Sequence, residues 1–68
     1  MTDSPMTLIR KLDETAAALK DLARHVRKSA PEVADGELRQ EMLDSAEDLE
    51  RRAGEMADAV ARLRAKIN

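Results

Sequence analysis

The chain contains no cysteine and no aromatic residue among its 68 residues. The absence of cysteine excludes disulfides and thiolate metal sites, and nothing in the composition favours an oxidising compartment. Without aromatic rings, the core must be built from Leu, Met, Val, Ile and Ala, and no ring is available to stack on nucleic-acid bases. A chain this short buries little surface and needs an additional source of stability. Because disulfides and thiolate metal sites are excluded, oligomerisation is the source that remains.

Long hydrophobic runs and strong net charge are also absent. No apolar run approaches the roughly 18 residues of a membrane span, and the first residues lack the basic start and apolar block of a signal peptide. We therefore expect a cytoplasmic protein with no membrane partner. The net charge of −2 is too mild to indicate a polyanionic or polycationic partner by itself.

Strong helix formers dominate what is present, and one pattern organises the second half of the chain. Its apolar residues are spaced alternately by four and three, as in a coiled-coil seam. They are Met42, Ala46, Leu49, Ala53, Met56, Val60, Leu63 and Ile67. A similar seam in the first half consists of Ile9, Leu12, Ala16, Leu19, Ala23, Val26 and Ala30.

Capping and breaking residues place the ends of the two helices. Ser4 followed by Pro5 is typical of a helix start, and Pro31 cannot lie inside a continuing helix. Asp35 is the expected N-cap of the second helix. We therefore predict an all-α fold, an antiparallel two-helix hairpin with helices at about 4–28 and 36–67, forming one domain over residues 1–68.

Side-chain size predicts how the helices align. If facing residue numbers total about 65, Ala23 meets Met42 and Ala16 meets Leu49, so small opposes large. That alignment leaves Val60, Leu63 and Ile67 beyond the first turn of helix 1. Together with flanking apolar residues they predict a protein interface, for which a second copy is the simplest partner. The predicted interface residues are Leu8, Leu22, Leu38, Leu43, Met56, Val60, Leu63 and Ile67. Two hairpins would form a four-helix bundle.

The alternation of Ala and large apolar layers resembles the Rop proteins, hairpin dimers that bind paired RNA loops. The likeness is in the layer pattern of Ala16, Ala23, Ala46 and Ala53 against Leu12, Leu19, Met42 and Leu49. The resemblance implies a hairpin dimer and assigns no functional residue.

Chemistry-bearing motifs are scarce. His25 lacks the neighbouring acid and the Pro spacing of a phosphotransfer histidine, and Leu22 three residues before it excludes a Glu-x-x-His bundle site. We predict no catalytic residue, no metal site, no cofactor and no enzymatic activity. One basic cluster on helix 1 could contact phosphates. It consists of Lys20, Arg24, Arg27 and Lys28.

The sequence therefore predicts a non-enzymatic protein–protein interaction module, a small self-associating hairpin that acts as adaptor, regulator or antagonist of a larger complex. The alternative is a Rop-like RNA- or DNA-binding hairpin dimer that uses the basic cluster of helix 1.

Overall fold

Two long helices and one short turn make up the structure. A computed structural model describes residues 4–67, in which helix α1 spans Pro5–Ser29, a 3₁₀ turn spans Ala30–Glu32 and helix α2 spans Gly36–Ile67. The described residues contain no strand. The predicted all-helical hairpin is confirmed. The start and end of α1 and the start of α2 lie within one residue of the predicted bounds.

Both helix starts are closed by the side chains that the sequence indicates. The backbone N–H of Thr7 donates to Ser4 Oγ at 3.2 Å, and Pro5 occupies the first turn of α1. The backbone N–H groups of Glu37 and Leu38 donate to Asp35 Oδ1 at 2.9 and 3.2 Å. Each cap satisfies donors that have no partner within the helix.

The connection reverses the chain later than the position of Pro31 suggests. Pro31 lies inside the 3₁₀ turn, where its missing N–H and fixed φ are tolerated, so the helical path continues to Glu32. Val33 N–H then donates to the Ala30 carbonyl at 3.0 Å, and Arg39 Nη1 donates to the Val33 carbonyl at 3.1 Å. These bonds hold the non-helical residues 33–35 against the start of α2.

Small residues form the line along which the helices touch. With heptad letters assigned so that Ile9 and Ala46 occupy position a, the buried residues all occupy a. They are Ile9, Ala16, Ala23, Ala30, Ala46, Ala53 and Val60. The larger residues at position d, from Leu12 to Met56 along the chain, are only half-buried. Ala at a allows the helix axes to approach closely, and the contact is therefore centred on a rather than shared by a and d.

The alignment of the helices differs from the predicted one. Arg27 pairs with Glu50 and Arg64 pairs with Asp13, and the residue numbers in each pair total 77. All four residues occupy position e. Ion pairs at these positions fit an alignment in which the numbers of facing core residues total about 72, one heptad more than the predicted 65. The physical reason is the late reversal, because three more helical residues and three non-helical ones precede α2.

Two consequences follow for the predicted layers. Ala23 is no longer level with Met42, so the predicted pairing of these two residues does not form. Val60 is only 3% exposed. The prediction that Val60 lies uncovered beyond helix 1 was therefore wrong.

Candidate interaction surface

One side of the hairpin is apolar and open. Around a helix, e lies about 40° to one side of a, while d and g lie about 60° and 100° to the other. Because the helices are antiparallel and their e positions pair, the d and g positions of both helices lie on the opposite side. We call this side the apolar face. Its large apolar residues are Leu8, Leu12, Leu19, Leu22 and Val26 on α1 and Leu38, Met42, Leu49, Met56 and Leu63 on α2. The remaining g positions hold Thr15, Ser29, Ser45, Arg52, Ala59 and Lys66.

Exposure follows this geometry. The g residues Leu8, Leu22 and Leu38 are each about half exposed, and Leu63 near the end of α2 is 38% exposed. The other members are half-buried. The side chains of this face are therefore only partly covered within a single hairpin.

The structure sorts the eight predicted interface residues into two groups. It brings Leu8, Leu22, Leu38, Met56 and Leu63 together on the apolar face. The other three lie elsewhere: Val60 is inside the hairpin, Leu43 occupies an e position on the opposite side, and Ile67 is 45% exposed in the last turn of α2.

Five residues of this face are absent from the predicted interface. They are Leu12, Leu19, Val26, Met42 and Leu49. The sequence assigned them to the core of a single hairpin, although the seven-residue repeat of Ala could have identified them, since a line of Ala leaves d facing outwards.

The opposite side of the hairpin carries exposed ion pairs between the two helices. We call it the charged edge, consisting of Asp13, Lys20, Arg27, Glu50 and Arg64. Arg27 donates two hydrogen bonds to the Glu50 carboxylate, from Nη2 at 2.5 Å and from Nε at 3.3 Å. Those hydrogen bonds lower the pKa of Glu50 and raise the pKa of Arg27. Arg64 Nη2 lies 3.5 Å from Asp13 Oδ2.

Three of the four predicted basic residues share a shallow groove. Lys20, Arg24 and Arg27 line it together with Glu50, and its volume is about 330 Å³. Arg27 is bonded to Glu50, and Arg24 Nη1 lies 3.7 Å from Asp21 Oδ1. Lys28 is exposed and does not line this groove. The groove can attract an anionic group, but acids already accompany two of its three bases.

Other candidate chemistry finds no support in residues 4–67. His25 is exposed on the surface of α1. In this part of the chain, no group of three or more acidic or histidine side chains is arranged to hold a metal ion. Neither helix, over the described residues, has a stretch long and apolar enough to cross a membrane.

Comparison of the chain with protein-family models, with curated proteins and with solved structures finds no match.

Proposed function

We propose that the chain is a non-enzymatic protein–protein interaction module that self-associates through the apolar face. Two hairpins stacked face to face enclose the d residues in a shared core and cover the g residues, giving a four-helix bundle. The outer, charged helix surfaces then remain free to engage a protein partner, as in an adaptor, regulator or antagonist of a larger complex.

The observation that carries this proposal is the row of large apolar residues at position d of both helices, flanked at g by Leu8, Leu22 and Leu38. Burying a large aliphatic side chain contributes roughly 1.5–3 kcal/mol, and ten such residues per chain lie at least partly uncovered on one side. A surface of this size on a 7.5 kDa chain is a strong drive to association. A second copy presents a face of the same dimensions, and two-fold dimers are the commonest soluble assemblies.

Sedimentation equilibrium at micromolar concentration tests the proposal directly. We expect the parent chain to sediment at twice its 7.5 kDa mass. Leu22→Glu places a charge in the centre of the apolar face, and we expect it to weaken the dimer at least a hundredfold, because both copies bury an unpaired carboxylate.

Met6→Glu is the matched control. Met6 is 56% exposed and Leu22 is 51% exposed, but Met6 occupies an e position on the charged side of the hairpin. The same charge change there should leave the dimer intact. A folded parent chain that sediments as a monomer, or equal effects of the two substitutions, would contradict the proposal.

A second candidate is binding of RNA or DNA, favoured by the groove that Lys20, Arg24 and Arg27 share. Phosphate contacts by such a stripe weaken steeply with salt. Lys20→Ala combined with Arg24→Ala should then reduce retention on double-stranded RNA at low salt, whereas Arg62→Ala with Lys66→Ala should not. Absence of retention by the parent chain at low salt would exclude this function.

A further inference from the structure

The orientation of the second copy can be inferred from the charges along the rim of the apolar face, and this inference rests on the self-association proposed above. Two identical faces related by a two-fold axis can meet in two ways. If the axis runs along the bundle, both connections lie at the same end and α1 packs on the partner's α2. If the axis runs across the bundle, the connections lie at opposite ends and each helix packs on its own copy.

The rim is formed by position c, the next row out beyond g. Near the open end of the hairpin, the rim residues are Lys11 on α1 and Arg62 on α2, at the same level in the observed alignment. Near the connection they are Glu32, in the 3₁₀ turn that follows α1, and Glu41 on α2. All four residues are exposed. Each hairpin therefore has a basic end and an acidic end along the same face.

The two orientations give opposite pairings of these four residues. With the connections at the same end, Lys11 meets the partner copy's Arg62 and Glu32 meets its Glu41, so both of these pairings are repulsive. With the connections at opposite ends, the basic end of one hairpin lies over the acidic end of the other. Glu41 then meets the other copy's Arg62, and Lys11 meets its Glu32, each twice by symmetry.

The middle of the α2 rim is compatible with this arrangement. Asp48 and Glu55 approach their counterparts there, which alone would be repulsive. Arg52 occupies the g position between them, and its Nε already lies 2.9 Å from Asp48 Oδ2. In the dimer, two Arg52 side chains lie near the symmetry axis among four carboxylates and offset much of their repulsion.

We propose that the hairpin pairs with a second copy in the antiparallel orientation, with the two connections at opposite ends of the bundle and Glu41 of each copy facing Arg62 of the other. The partner surface is therefore specified as the same face, reversed end for end.

Distance measurement between spin labels separates the two orientations. Because the chain has no cysteine, Ala34→Cys places a single label in the connection, outside both helices. At 1.5 Å per helical residue, the antiparallel dimer separates the two labels by about 40 Å or more. With both connections at one end, helix spacings of 8–10 Å keep them within about 20 Å.

Charge reversal gives an independent test with opposite signs for the two orientations. In the antiparallel dimer, Glu41→Lys creates two repulsive contacts and should weaken association about tenfold at low ionic strength. Adding Arg62→Glu to the same chain should restore it. In the other orientation Glu41→Lys faces Glu32 and should strengthen association. Asp58→Lys, on the outward side of α2, is the control with the same change in net charge.

The outcomes distinguish the two levels of the proposal. A dimer with a long label distance, weakened by Glu41→Lys and rescued by Arg62→Glu, supports the antiparallel orientation. A dimer with a short label distance, or one that Glu41→Lys tightens, overturns the orientation and leaves self-association standing. A parent chain that stays monomeric overturns both.

Discussion

The two sides of the hairpin differ in whether their side chains find a partner within the same chain. On the charged edge, Arg27 pairs with Glu50 and Arg64 pairs with Asp13, so the two helices satisfy each other. On the apolar face, the side chains that lie beside the contact line have no helix over them in a single hairpin. The charged groups of the charged edge are therefore paired within the chain, whereas the apolar face remains open for another surface.

The cause of this difference is the size of the residues at position a. A line of Ala lets the helix axes approach closely. At this distance the e residues of the two helices lie beside each other on one side of the contact line, and the d residues point outwards on the other side. Larger residues at a would separate the helices and let both a and d contribute to the contact. One repeated small residue thus determines which side of the hairpin is closed.

The largest expected effect comes from enlarging the contact line itself. Ala53 is fully buried at position a, and Ala53→Leu inserts three carbons where the axes are closest. We expect a loss of about 1–3 kcal/mol in the free energy of unfolding, measured by chemical denaturation with circular dichroism. Ala61→Leu on the exposed surface of the same helix is the control, and equal effects of the two would disprove a contact centred on a.

A smaller effect, of opposite sign, is expected at Gly54. A Cβ added there meets no atom within 4 Å, so the glycine fills no tight space in the hairpin. Gly54→Ala should therefore raise the free energy of unfolding by about 1 kcal/mol through helix propensity alone. It should not alter self-association, because Gly54 lies away from the apolar face. A weaker dimer would show that a partner helix approaches this position.

The smallest expected effect is a pH dependence at the charged edge. The hydrogen bonds from Arg27 lower the pKa of Glu50 in the folded chain. Their contribution to stability is therefore complete above the ordinary glutamate pKa of about 4.3 and disappears as pH falls through the lower folded value.

Thermal melts of the parent chain and Glu50→Gln check this dependence. The parent should melt slightly higher at pH 7, and the difference should vanish near pH 2. Glu14→Gln, on the exposed surface of α1, is the control. A difference that persisted unchanged at pH 2 would contradict the role of the ionised carboxylate.

Most of the local structure could be predicted from particular residues. Ser4 and Asp35 cap the helices in which they were expected, because a cap depends on residues only two or three positions away. The interface prediction was less complete. It included Leu8 and Leu22 but omitted the half-buried d residues, since their outward orientation depends on how closely a second helix approaches.

The amino-acid sequence by itself determined two amphipathic helices, their caps and the antiparallel hairpin, because these depend on local propensity and on a repeat of apolar residues. Only the tertiary structure decided the alignment of the helices and hence the burial of Val60, because the path of residues 30–35 sets where the chain reverses. It also separated the apolar face from the charged edge, since the rotation of each helix about its axis follows from packing one line of Ala against another.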